Sequence, residues 1–358
     1  MEHIQSKAID PTKLDALVAR AFEDLSAGYG GVMISLGNRL GLYKAMAGAG
    51  PLSAREIATR ADCAERYVRE WLNAQVTGGY VAYHPVSDTY ELTPEQAVVL
   101  ADEDSPAFVP NAWAVPASMW ADEEKAIEAF RTGKGISWGD HDGRLACGVA
   151  AFYRNAYKAS LVPEWLPALD GVVDKLEAGA LVADVGCGHG HSTVLMAKAF
   201  PASRFNGFDS HQASLEEARK VAAEAGVAER VNFAAARADD YGGNGYDLIC
   251  FFDALHDMGD PVAAAAHAAK ALAPDGAVML VEPFANDRVE DNVSPVARLY
   301  YAASTTICCA HAISDGGRLV LGAQAGEARL EDVFRKAGFT RFRRAFETPF
   351  NLILEARL

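Results

Sequence analysis

Ala183-Asp184-Val185-Gly186-Cys187-Gly188-His189-Gly190 is the stretch that decides how this chain folds. The apolar Ala180-Leu181-Val182-Ala183 leads into it, and a helix-like run over 192–200 follows. Strand, glycine turn and helix in that order make a nucleotide-type site at the carboxyl end of a parallel strand. Glycine at alternate positions lets the backbone approach a flat ligand and reach dihedrals closed to other residues. A dinucleotide fingerprint needs glycine at 191, and His191 stands there instead, so the run is D-x-G-x-G-x-G.

Outward from the loop, segments 180–186, 203–209, 231–237, 246–253 and 276–283 read as strands separated by helical patterns. Such repetition implies a parallel, doubly wound sheet. The end differs. Segments 339–347 and 350–358 are separated only by Thr348-Pro349, too short for a helical crossover, and are expected to form an antiparallel hairpin at the sheet edge. The second strand ends in Phe208-Asp209-Ser210, which puts Asp209 where a carboxylate can accept both ribose hydroxyls. After the third come Ala238-Asp239-Asp240, placed so that Asp239, or Asp240 in its stead, meets an adenine amino group. No glycine-rich phosphate loop with Lys-Ser/Thr occurs, so the ligand reads as an adenosyl group without a triphosphate.

The 358 residues are half hydrophobic and 23% charged, as in an ordinary soluble protein. No apolar run approaches the roughly 18–20 residues that span a bilayer. Met1-Glu2-His3-Ile4-Gln5 has no basic region followed by an apolar core. A cytoplasmic enzyme is the expectation. A net charge of −15 repels phosphate backbones, so nucleic acid is not an expected partner. The six cysteines form no C-x-x-C pair, which argues against a zinc site or a disulfide framework, and no metal is expected.

Three zones follow: 1–100 as a helical and winged-helix domain, 101–175 as a helical linker and lid, and 176–358 as the catalytic domain. Apolar positions from Leu14 to Met46 recur at helical spacing, interrupted by Gly28, Gly30 and Gly31. Ser53-Ala54-Arg55-Glu56 is a capping box, and a second helix covers 64–76. Two short strands around Pro85-Val86-Ser87-Asp88 complete a winged helix-turn-helix. Arg66 and Arg69 on its second helix are offset by Glu65 and Glu70, so dimerisation and walling the site are expected of it, not DNA binding. The glycine region and its apolar helix suggest a homodimer.

The glycine loop, its acidic strand ends and the terminal hairpin together resemble a class I S-adenosylmethionine-dependent methyltransferase. Further segments extend the likeness: Gly41-Leu42-Tyr43, Glu65-Arg66-Tyr67-Val68-Arg69-Glu70-Trp71-Leu72, Ala101-Asp102-Glu103-Asp104-Ser105-Pro106-Ala107 and Trp138-Gly139-Asp140-His141. With Leu255-His256-Asp257-Met258-Gly259-Asp260-Pro261 they resemble, over nearly the whole chain, a bacterial family of winged-helix methyltransferases with mycobacterial members. The resemblance implies an α/β fold, a doubly wound Rossmann-like sheet with a C-terminal antiparallel hairpin, plus an N-terminal α-helical winged-helix domain. It implies S-adenosyl-L-methionine as cofactor and S-adenosyl-L-homocysteine as product. Gly186, Gly188 and Gly190 would line methionine and ribose, Asp209 would hold the ribose, and Asp239 would meet the adenine N6 with Ala238 beside the ring. Asp184 would orient the loop or bind the amino group. Cys187, Ser210, Phe252 and Asp253 complete the expected cofactor set.

Methyl transfer is a displacement at a sulfonium carbon, so the protein must align the partners, exclude water and remove a proton from a hydroxyl acceptor. His256, just past the fourth strand, is the candidate base, since imidazole titrates near neutrality. Its segment resembles the Leu-His-Asp-Trp-x-Asp run of small-molecule O-methyltransferases, with Met258 in place of tryptophan, and Glu282 falls where those enzymes carry a carboxylate that orients the histidine. A strand-end histidine could equally bond backbone. Trp138, His141, Tyr153, Tyr157, Tyr300 and Met119 are the candidates for a small hydrophobic or aromatic acceptor. Packing of an interdomain core is the alternative for the aromatic ones. Methylation of sulfur or nitrogen without a base, or a winged-helix regulator that senses a ligand, remain the other readings.

Overall fold

Asp10 opens the first helix: its carboxylate accepts the Thr12 and Lys13 N–H groups, and Pro11 takes the first helical position. The computed structural model describes residues 9–358, and the Met1–Gln5 stretch lies outside the described residues. The chain divides into two units, one ending at Ala114 and one spanning Val115–Leu358.

In the first unit, the helix Pro11–Arg39 runs 29 residues straight through Gly28, Gly30 and Gly31, with no interruption. Packing explains one of these glycines. A Cβ on Gly31 would sit 2.0 Å from the Trp113 ring, and one on Gly37 would sit 2.4 Å from Trp71. A glycine costs a helix interior about 1 kcal/mol relative to alanine, and close tryptophan packing accompanies that cost at Gly31 and Gly37. Helices Ala54–Arg60 and Glu65–Thr77 follow, the first opened by the expected capping box at Ser53 and Glu56. Strands β1 (Ala82–His84) and β2 (Thr89–Glu91) pair antiparallel as the wing. Ile34, Tyr43, Ile57, Leu72 and Tyr90 fill the core of this winged helix. Because Trp113 packs against that core, residues 101–114 of the expected linker zone go with the first unit and 115–175 with the second.

The second unit is built on seven strands: β3 (Leu181–Val185), β4 (Arg204–Asp209), β5 (Val231–Ala235), β6 (Tyr246–Phe252), β7 (Leu272–Pro283), β8 (Arg341–Glu347) and β9 (Asn351–Arg357). Their order is β5-β4-β3-β6-β7-β9-β8. The first five are parallel, and β9 runs antiparallel between β7 and β8, with Leu280 opposite Leu354. The hairpin expected at the edge is there, but its second strand is inside it. Leu352, Ile353 and Leu354 are buried accordingly, while β8 forms the rim. Successive strands run outward from β3 to β5, then the chain returns to β6 on the other side. That reversal opens a crevice at the carboxyl ends of β3 and β6, where α/β sheets hold ligands.

Candidate active site

The loop after β3 takes its shape from glycines in left-handed conformations, with φ +78° at Gly186, +51° at Gly188 and +71° at Gly190. The Gly186 and Cys187 N–H groups both donate to the Phe208 carbonyl of β4, at 2.8 and 3.0 Å. A side chain would not fit: a Cβ on Gly186 would lie 2.6 Å from the Ala254 Cβ, and one on Gly190 2.6 Å from the Phe233 ring. Asp184 accepts from Ser192 Oγ (2.7 Å) and Thr193 Oγ1 (2.5 Å), which ties β3 to the first turn of the helix His191–Ala199. Burial pushes its carboxyl up to about 6 in spite of those bonds, and its Oδ1 has no partner among the described residues.

Beside the loop opens a cleft of about 210 Å³. Twelve of the residues singled out in the sequence line it: Gly186, Cys187, Gly188, Asp209, Ser210, Ala238, Asp239, Phe252, Asp253, Trp138, Tyr153 and Tyr157. Asp184, Gly190, His141, Met119, Tyr300 and His256 stand outside that lining. Asp209 accepts Gly188 N–H through Oδ2 and His211 N–H through Oδ1, both at 2.8 Å. A carboxylate offers about four lone-pair positions, so capacity for two ribose hydroxyls remains. Phe208, Ala236 and Ala238 make an apolar slot that ends at Asp239. Bare backbone at Gly186 and Gly188, a carboxylate at the next strand end and this slot fit an adenosyl group.

Among the described residues, Asp253 is one of three non-glycine residues with positive φ, at +49°. Such backbone costs energy and persists where surroundings impose it. Here Tyr157 Oη donates to its Oδ2 (2.6 Å) and Asn351 Nδ2 to its Oδ1 (2.8 Å). Burial pushes this carboxyl up to about 8. Tyr153 stacks on Tyr157 at 5.7 Å, and burial raises both phenols well above their ordinary value.

His256 sits in the single turn Leu255–Asp257 after β6, and its Nδ1 lies 2.5 Å from Glu282 Oε2 on β7. The two residues are 4% and 1% exposed. The Cys308 thiol lies against the same imidazole. Burial disfavours the imidazolium, but the carboxylate and the thiol outweigh it, and His256 is raised well above its ordinary value. The His141 side chain is turned inward with Nδ1 3.1 Å from Asp122 Oδ2, and desolvation lowers its pKa despite that partner. Tyr300 donates to the Phe350 carbonyl at 3.0 Å, and Met119 packs with Trp138 in the small cluster around Leu145 and Tyr300.

Sequence reasoning missed His311, Asp257, Arg237 and Asp315, all of which line the cleft. Asp257 adjoins the candidate base, and burial pushes its carboxyl up to about 6. His311 and Asp315 belong to the short helix Cys308–Ser314 and its C-cap, a segment with no recognisable motif. Their only signal is spacing.

This fold and site define a class I S-adenosylmethionine-dependent methyltransferase with an N-terminal winged helix. Residues 28–102 match the family described as the Rv2258c-like winged HTH domain, and residues 176–338 match a methyltransferase domain. The chain is similar in structure to the mitomycin 7-O-methyltransferase MmcR, at 20% identity and TM-score 0.71, with 98% of this chain and 100% of that one covered. PigF with SAH matches at 19% identity and TM-score 0.71 over 94% of this chain and 98% of that one. Human N-acetylserotonin methyltransferase in complex with SAM matches at 18% identity and TM-score 0.65, covering 99% of each chain. In sequence, trans-aconitate 2-methyltransferase of Escherichia coli is 48% identical over 46 residues, which is 13% of this chain and 18% of that protein's length.

Proposed function

We propose that the protein transfers the methyl group of S-adenosylmethionine to the oxygen of a small hydrophobic or aromatic acceptor, with His256 as general base. The observation that supports this best is the buried His256–Glu282 pair at the carboxyl ends of β6 and β7, beside cleft residues Asp253 and Asp257. S-adenosylmethionine supplies a methyl group on a cationic sulfur. Gly186, Gly188 and Asp209 would hold its adenosyl and methionine parts, and Asp239 its adenine edge. Glu282 holds the imidazole through Nδ1, and the other ring nitrogen, on the ring that the Cys308 thiol also touches, is the one to take a hydroxyl proton. To do so His256 must first be neutral. Trp138, Tyr153 and Tyr157 offer flat apolar walls that orient an acceptor and exclude water.

The test is a panel of phenolic and enolic acceptors with labelled methyl donor. His256→Ala should lower turnover by about 10²–10⁴-fold, the usual worth of a positioned acid or base. Turnover near the wild-type level would sink the base and favour methylation of sulfur or nitrogen by proximity alone. That second reading draws support from the place of His256 outside the cleft lining. A ligand-sensing regulator is disfavoured because the recognition-helix arginines are paired: Arg66 with Glu70 at 2.6 Å and Arg69 with Asp88 at 3.2 Å.

The same proposal includes a cytoplasmic homodimer. Among the described residues no helix is long and apolar enough to cross a membrane. The helix Pro11–Arg39 carries Leu14, Val18, Phe22, Leu25, Tyr29, Val32 and Leu36 along one stripe, all exposed, Phe22 at 64% and Tyr29 at 72%. An apolar stripe of that length on a solvated helix marks an interaction face, and a second copy is the occupant proposed.

A further inference from the structure

Cys308, His311 and Asp315 stand at i, i+3 and i+7, one face of the helix Cys308–Ser314 and its C-cap. That face meets three parts of the site. Cys308 lies against His256. Asp315 accepts from Arg237 Nη1 at 2.6 Å and from Gly259 N–H at 3.3 Å, beside the adenine slot. His311 lines the cleft between them. Backbone contacts fix the helix in place. Ile136 N–H donates to the Ala310 carbonyl at 3.0 Å. A Cβ on Gly135 would lie 2.1 Å from that carbonyl oxygen, and one on Gly259 2.0 Å from the carbonyl oxygen of Asp315.

The Trp138 backbone N–H donates to His311 Nδ1 at 3.2 Å. A neutral imidazole that accepts at Nδ1 carries its hydrogen on Nε2. Among the described residues nothing hydrogen-bonds that Nε2, and the ring faces the cleft. Trp138 lies edge-on to the ring with centroids 6.0 Å apart. The result is a donor of fixed tautomer on an apolar, aromatic wall.

We propose that His311 is a specificity-determining residue whose Nε2–H donates to a neutral carbonyl oxygen of the methyl acceptor, set apart from the hydroxyl that is methylated. The acceptor class is thus a flat aromatic hydroxy-carbonyl compound. A carboxylate is disfavoured because Asp209, Asp239 and Asp260 line the same cleft and outnumber its one arginine among the described residues, Arg237. This rests on the O-methyltransferase reading for the hydroxyl, but the donor acts on binding and is separable from it.

The experiment compares 7-hydroxycoumarin with 2-naphthol, two flat bicyclic phenols of similar size of which only the first has a distal carbonyl. Binding is read by fluorescence with the full chain saturated in S-adenosylhomocysteine. The wild type should prefer 7-hydroxycoumarin by roughly fivefold, the worth of one neutral hydrogen bond. His311→Phe should remove the preference, bringing the ratio of the two affinities to within about twofold of one, and His311→Gln, which retains a donor, should keep part of it. Equal binding of the two probes by the wild type, a preference that survives His311→Phe, or binding of neither probe would each overturn the proposal. Loss of methyl transfer in His256→Ala with the probe preference intact leaves this inference standing. Full turnover in His256→Ala sinks the base without touching it.

Discussion

Replacing Glu282 with glutamine tests the buried pair without knowledge of the acceptor. The carboxylate sits 2.5 Å from His256 Nδ1, with both residues out of solvent. A hydrogen bond to a charged group is worth about 1.5–3 kcal/mol. Glutamine keeps the shape and one acceptor oxygen, so the loss belongs to the charge. For a unit the size of Val115–Leu358, about 2–4 °C per kcal/mol turns this into a fall in Tm of roughly 3–12 °C. The pH dependence carries the sharper test. Carboxylate and thiol outweigh burial and raise His256 above its unfolded value of about 6.5. Its stabilising contribution is therefore complete below that pH and fades as pH rises through the folded value. Thermal and urea denaturation of wild type and Glu282→Gln should show the largest gap at pH 6 and a smaller one at pH 9. A gap that stays constant, or widens with pH, would refute the coupling of His256 to Glu282.

Gly186→Ala should weaken S-adenosylhomocysteine binding at least tenfold by calorimetry, because φ is +78° and the new Cβ would meet Ala254 at 2.6 Å. Affinity within twofold of wild type would contradict the close-approach role of that backbone. Phe22→Glu with Leu25→Glu, on the exposed stripe, should convert the proposed dimer to a monomer in light scattering at micromolar concentration. An unchanged mass, whether monomeric or dimeric in both proteins, would remove this helix as the interface. If His256 is the base, turnover should rise with pH through its raised pKa, since only the neutral imidazole accepts a proton. A pH-independent rate between 6 and 9 would argue for base-free transfer.

Local chemistry made much of the fold legible. The glycines at 186, 188 and 190 were readable because only glycine tolerates left-handed backbone pressed against neighbours. The short Thr348-Pro349 link excluded a crossover and so implied the hairpin. It could not say which strand would lie inside, since that depends on which of the two buries both faces against β7. The helix through Gly28–Gly31 was misjudged from local propensity, because the Trp113 ring that explains Gly31 is remote in sequence.

The candidate site divides along the same line. Strand-end acids such as Asp209 and Asp239 follow from the alternation of strands and helices, because the carboxyl ends of a doubly wound sheet converge on one crevice. The burial of His256 against Cys308, the raised carboxyl of Asp253 and the fixed tautomer of His311 arise between residues tens to more than a hundred positions apart. Desolvation and charge coupling depend on distances in space, and only the folded chain sets those distances. The sequence by itself determined the sheet, the glycine loop and the kind of group it holds. Tertiary structure decided how the pKa of His256 shifts and which partners the histidines meet.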